Sequence, residues 1–210
     1  MTARLLYVMD PMCSWCWGFA PVAEALIAQA AAAGVPTHLV VGGLRTGSSP
    51  LDPATRAYIL EHWQAVSEAT GQGFAFENAM PDGFVYDTEP ACRALVTARQ
   101  LDAERVWPLL AAVQSGFYER GLDITLPAVL VELAEQAGLD RAGFAQALID
   151  TDTRAATAAD FTWAQGLGIA GFPTLLAERN GQLALLTNGY QPLESLSPLL
   201  ARWLQQATGA

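Results

Sequence analysis

Cys13 and Cys16 stand three positions apart in the stretch Asp10-Pro11-Met12-Cys13-Ser14-Trp15-Cys16-Trp17-Gly18. A short apolar run, Leu5 to Met9, precedes them. A helix-like run carrying Ala20, Val22, Ala23, Leu26, Ile27 and Ala30 follows. Cys13 therefore falls where a strand gives way to a helix N-terminus. Unpaired backbone N–H groups and the positive end of the helix dipole stabilise a thiolate there. A second thiol one turn further on can attack a mixed disulfide made by the first. The chemistry these residues offer is dithiol–disulfide exchange, with Cys13 as the exposed nucleophile and Cys16 as the resolving thiol. A Cys-x-x-Cys beside a βαβ pattern in an intracellular protein reads as a thioredoxin-like redox motif.

A metal site is the competing use of such a pair. Zinc takes about four ligands, and Cys13 and Cys16 supply two. Cys92, His38 and His62 are the other candidates, and none is paired at a ligand-like spacing. No metal is expected. Cys92 reads as a buried helix residue and His62 as a residue of a helix surface. Two inert core thiols are the blander reading, which their position at a strand-to-helix junction disfavours.

The elements that must hold this pair follow from pattern. Thr37 to Val41 reads as a short buried strand, so strand, helix and strand form a right-handed βαβ unit. The loop Gly42 to Pro50 is glycine-rich but matches no phosphate-binding pattern. From Asp52 to about Gly168 the periodicity is helical, with no strand and no repeat. Asp52-Pro53 and Asp87-Thr88-Glu89-Pro90 read as helix starts. Further helices are expected over Ala103–Arg120, Leu126–Ala137, Arg141–Ile149 and Thr153–Leu167, with a less regular stretch from Thr70 to Tyr86. Strands return at Leu175 to Arg179 and Leu183 to Thr187, joined by the hairpin signal Asn180-Gly181. A last helix, Leu193 to Gln206, carries Leu196, Leu199, Leu200, Trp203 and Leu204 on one face.

Composition narrows the function. Hydrophobic residues make up 52% and charged residues 15% of the 210, which excludes a disordered chain or a coiled coil. The net charge is −10, and all eleven basic residues are arginines scattered along the chain. No basic patch forms, so neither nucleic acid nor an anionic membrane is an expected partner. No apolar run approaches the ~20 residues of a membrane span. Met1 to Arg4 leads straight into the first strand without a signal-like segment. A cytoplasmic location is expected, where a cysteine pair is catalytic more often than structural.

The βαβ, helical block, ββα plan resembles the DsbA family of thioredoxin-fold proteins, over essentially the whole chain. Cys13-Ser14-Trp15-Cys16 and Gly171-Phe172-Pro173-Thr174 carry the resemblance. The first motif's surroundings and the loop after the second strand are more similar to the cytoplasmic FrnE-like branch than to the secreted one. The resemblance implies an α/β thioredoxin fold with a large inserted all-helical domain: residues 1–51 and 169–210 thioredoxin-like, 52–168 inserted. It also implies that Pro173 follows a cis peptide and faces the cysteine pair. Phe172, Pro173 and Thr174 would then align an extended substrate, with Trp15 and Trp17 as an apolar rim. The implied activity is that of a thiol-disulfide oxidoreductase. Its partners would be protein or small-molecule thiols and disulfides, with no bound cofactor and glutathione as co-substrate.

The family's periplasmic oxidants carry a histidine between their cysteines; here Ser14-Trp15 brings no cation, and Asp10 and Glu24 oppose a thiolate. The pair is therefore expected to be moderately oxidising, nearer the glutaredoxins at about −200 to −230 mV than roughly −120 mV. The alternative is a glutathione-dependent transferase or isomerase of the kappa or hydroxychromene-carboxylate type, with Arg45 and Thr46 holding a glutathione carboxylate. Those proteins usually have serine where Cys13 stands. A third reading is a peptide-binding module without catalysis.

Overall fold

The computed structural model describes residues 3–208. Strand β1 (Ala3–Met9) pairs in parallel with β2 (Thr37–Val41) through helix α1 (Ser14–Ala32). On its other side β1 runs antiparallel to β3 (Thr174–Arg179), which pairs with β4 (Gln182–Asn188). The sheet order is β2-β1-β3-β4, so the strand that ends at the cysteine motif is central. The β3–β4 turn is Asn180-Gly181, both with positive φ, as a type I′ hairpin demands.

Six helices lie between β2 and β3: α2 (Pro53–Thr70), α3 (Glu89–Leu101), α4 (Val106–Tyr118), α5 (Pro127–Gln136), α6 (Arg141–Ile149) and α7 (Thr151–Gly166). The start of α2 is the Asp52-Pro53 pair, with Asp52 accepting from the backbone N–H of Ala54 and Thr55. The expected helix from Ala103 opens instead as a 3-10 turn, Ala103–Arg105, before α4 begins. Helix α8 (Leu193–Thr208) closes the chain. It buries Leu196, Leu200 and Leu204, while Leu199, expected on the same face, is 38% exposed.

Alternation along β1 sorts its side chains onto two faces. Leu5, Tyr7 and Met9 join α1, α8 and the aromatic core. Leu6 and Val8 meet Val40, Leu176 and Ala164 of α7. The last inserted helix thus covers one face of the thioredoxin-like sheet. The main core runs without a break from β1 through Trp63 of α2 to Leu130 and Phe144 of α5 and α6. Residues of 1–51 and 169–210 and residues of 52–168 thus share one core cluster.

Charged groups also join the two parts. Arg99 of α3 makes a two-pronged bond to Asp160 of α7, at 2.8 and 3.1 Å, with both side chains 15% exposed. Arg99 further donates to the Leu39 carbonyl, and Asp160 accepts from the Val41 N–H. The outer edge of β2 would otherwise expose unpaired backbone groups; here Arg99 and Asp160 satisfy the Leu39 carbonyl and the Val41 N–H. No described helix is long and apolar enough to cross a membrane.

Candidate dithiol site

Cys13 is the N-cap of α1, with extended backbone (φ −83°, ψ 116°). Its carbonyl accepts the first helical bonds, from the N–H of Cys16 and Trp17. Its own side chain caps nothing, so the thiol is left over for chemistry at the positive end of the helix. It donates to the Phe172 carbonyl at 3.6 Å, and the Phe172–Pro173 peptide is cis. The motifs at opposite ends of the chain are thereby brought together.

Cys13 is 7% exposed and Cys16 is fully buried. The expected open nucleophile is therefore a narrow window, because the Phe172 segment leans over it. The ranking of the two thiols nonetheless follows from position: one is reachable and the other lies a turn deeper. All three cysteines are free. Burial pushes the Cys16 thiol well above the usual range, and the hydrogen bond and charge of Cys13 push it further. The Tyr7 hydroxyl, itself raised chiefly by burial, hydrogen-bonds with Cys16.

Asp10 organises the turn into the helix. It is completely buried. One carboxylate oxygen accepts from the Met12 N–H at 2.8 Å. The other accepts from the Leu44 N–H at 2.7 Å and from the Cys92 thiol at 3.4 Å. One side chain thus knots the end of β1, the loop after β2 and helix α3. Burial raises its pKa above the usual carboxylate value, although hydrogen bonds from Leu44, Thr88, Met12 and Cys92 pull the other way. Glu24 does not share in this. Eleven residues into α1, it lies roughly 16 Å along the axis from Cys13, on the exposed side.

Helix α1 contains Pro21, which cannot donate to the carbonyl four residues back. That carbonyl belongs to Trp17, and Gln72 supplies the missing donor at 2.9 Å. Trp17 is buried, stacks on Tyr118 (5.8 Å, 10°) and donates its indole N–H to the Gly73 carbonyl. It is core and not rim. Trp15 is half-buried against Tyr190, with ring centroids 5.8 Å apart.

The other expected ligand residues divide. Phe172 is half-buried beside Cys13. Pro173 is buried, and its carbonyl accepts from the Gly189 N–H. Thr174 is 1% exposed, its hydroxyl 2.9 Å from the Gly171 carbonyl and 3.1 Å from Asn188 Oδ1. That hydroxyl holds the loop in shape. Arg45 is exposed, its guanidinium 5.1 Å from the centre of the Tyr86 ring. Tyr86 in turn donates to the Met12 carbonyl, so Arg45 lies one residue's thickness from the cysteine turn.

Gly42 is a contributor that the sequence did not announce. A Cβ on it would overlap the ring of Phe172. Tyr7, Tyr86 and Tyr190 were equally unmarked, since they fall in a strand or in irregular segments with no motif. His62 is exposed, as its helix position suggests, with Nδ1 2.9 Å from the Tyr58 carbonyl. Among the described residues, no three His, Cys, Asp or Glu side chains gather to hold a metal ion.

Known proteins place this geometry. The model of the DSBA-like thioredoxin domain matches residues 4–201. A putative protein disulfide isomerase from Nitrosomonas europaea is 43% identical, with 98% of this chain and 99% of that one covered and a TM-score of 0.91. The cytosolic disulfide reductase DsbM from Pseudomonas aeruginosa is 31% identical over 97% of this chain and 100% of its own, at a TM-score of 0.82. A structure of DsbM with GSH aligns at 28% identity and TM-score 0.77, covering 95% and 98%. A 2-hydroxychromene-2-carboxylate isomerase shares the fold alone, at 16% identity, 97% coverage of both chains and TM-score 0.62. No curated protein matches the sequence. With the matched domain spanning nearly the whole chain, and a dithiol at the helix start facing the Phe172–Pro173 segment, the chain belongs to the DSBA-like thioredoxin domain family of thiol-disulfide oxidoreductases.

Proposed function

We propose that this protein is a cytoplasmic, glutathione-coupled thiol-disulfide oxidoreductase working in the reducing direction. The observation that carries the reading is the stacked pair: Cys13 at the helix start facing the Phe172 carbonyl, with Cys16 fully buried beneath it. The Cys13 thiolate attacks one sulfur of a substrate disulfide. The substrate S–S bond breaks, one substrate thiolate leaves, and a mixed disulfide forms. Cys16 then loses its proton and attacks the Cys13 sulfur, releasing the second substrate thiolate and closing the Cys13–Cys16 disulfide. Two glutathione molecules return the two electrons and leave as glutathione disulfide. Similarity to the cytosolic reductase DsbM, and the structure of that protein with GSH, support the donor and the compartment.

Reduction of insulin by glutathione should be accelerated by the protein and fall to the uncatalysed rate in the Cys13→Ala variant. A wild-type protein that does not accelerate it, or a variant that still does, overturns the reading. Because burial raises the Cys16 thiol, its thiolate fraction, and with it the resolving rate, should grow about tenfold per pH unit near neutrality. Stopped-flow decay of a preformed Cys13 mixed disulfide measures that slope; a flat profile contradicts it.

Gly42→Ala should slow insulin reduction by about tenfold to a hundredfold. The added methyl displaces the Phe172 ring and with it the carbonyl beside Cys13, and displacements of about 1 Å have costs of that order. Unchanged turnover would show that the ring moves without moving its backbone.

A further inference from the structure

A cleft of about 650 Å³ opens between helices α1 and α4. That volume lies within the roughly 300–1,000 Å³ of small-molecule sites. Its walls include the rings of Trp17, Tyr7 and Trp107 and the side chain of Leu110, and Pro21 and Ala111 are at its exposed rim. Neither cysteine of the dithiol, nor Phe172, Pro173 or Arg45, lines it.

One polar group in this wall has no use within the chain. Gln114 is 1% exposed and lines the cleft, and its amide nitrogen has no hydrogen-bond partner. A buried donor left unpaired is costly, and an acceptor brought by a ligand would relieve it. Gln72, the other amide in the wall, already donates to the Trp17 carbonyl. The lining holds one charged residue, Glu24, and no arginine. On a chain of net charge −10, that arrangement repels carboxylates, glutathione among them.

We infer that this cleft binds a neutral aromatic molecule carrying one hydrogen-bond acceptor, its ring system against Trp17, Tyr7 and Trp107 and its acceptor on the Gln114 amide. The site adjoins the buried side of the dithiol through Tyr7 and Trp17, but neither cysteine lines it.

Prodan, a neutral naphthyl ketone whose emission reports both polarity and hydrogen bonding to its carbonyl, is the probe. Titrated against the full reduced chain, it should bind saturably, one per chain, with blue-shifted emission. The Cys13→Ser variant should bind it equally. Ala111→Trp, at the exposed rim, should weaken binding at least tenfold while insulin reduction is retained. Gln114→Leu should weaken it about two- to tenfold, the range of one net hydrogen bond, and shift the bound emission further to the blue. Absence of saturable binding, or Ala111→Trp binding as wild type does, overturns the site. Gln114→Leu protein with unchanged affinity and emission overturns the assigned ligand class. Should that variant fail to fold, the Ala111→Trp result alone decides the site.

Discussion

Cys16→Ala protein should accumulate a mixed disulfide with its substrate through Cys13, while Cys13→Ala protein should trap less than about a tenth as much. The expectation follows from depth. Cys13 retains 7% exposure at the helix start, and Cys16 retains none. A substrate sulfur can reach the first and not the second. Burial, followed by the neighbouring Cys13, holds Cys16 in its protonated form, so it waits as a thiol until a mixed disulfide forms above it. Once Cys13 is bonded to substrate its charge is gone, and one of the influences raising Cys16 disappears with it. Removing Cys16 stops the sequence at the intermediate. Non-reducing electrophoresis after acid quench, with peptide mapping of the trapped bond, measures the outcome. Equal trapping by both variants, or a bond mapped to Cys16, reverses the assignment of roles.

Asp10→Ala should cost about 2–4 kcal/mol of stability. Two backbone N–H groups, of Met12 and Leu44, lose their acceptor, at about 1–3 kcal/mol each where they stay buried; release of a buried carboxyl offsets part of this. For a chain of this size the melting midpoint should fall by roughly 5–15 °C. The pH dependence has a definite sign. Asp10 has a raised pKa in the folded protein, so the native state holds its proton more tightly than the unfolded chain does. Stability contributed by this group is fully present below the unfolded value, about 3.9, and is lost as pH rises through the raised folded value. The wild-type protein should show that decline, and Asp10→Ala should lack it. Thermal unfolding from acid to neutral pH compares the two, and parallel curves would show that Asp10 titrates alike in both states.

The residues carrying the strongest local chemistry were legible before any coordinates. Two thiols at a strand-to-helix junction, Asp52-Pro53 at a helix start and Asn180-Gly181 in a hairpin each rest on rules confined to a few neighbouring residues. What escaped was set by contacts distant in sequence. Gly42 looks like any loop glycine until the Phe172 ring is seen against it. Nothing near Pro21 in sequence shows that Gln72, from beyond α2, satisfies the carbonyl it frees. Thr174 carries a hydroxyl suited to a ligand, but Gly171 and Asn188 already occupy it. Trp17 and Trp15 are near-identical in sequence context. They part ways because one is buried against Tyr118 and the other is half-buried against Tyr190. Asp10 was visible as a nearby charge; its office as a knot between three segments was not.

The central pairing of β1 with β3, which joins Val8 to Thr174, has a consequence for biosynthesis. Cys13 leaves the ribosome 159 residues before the Phe172 carbonyl that shelters it. At about 5–20 residues per second, that interval lasts on the order of 10–30 s. Throughout it, β1 has no partner on its β3 side, and the nascent chain carries its reactive thiol uncovered. During that interval any cellular disulfide can reach the sulfur, whereas in the finished molecule the Phe172 segment leaves only a narrow window to it.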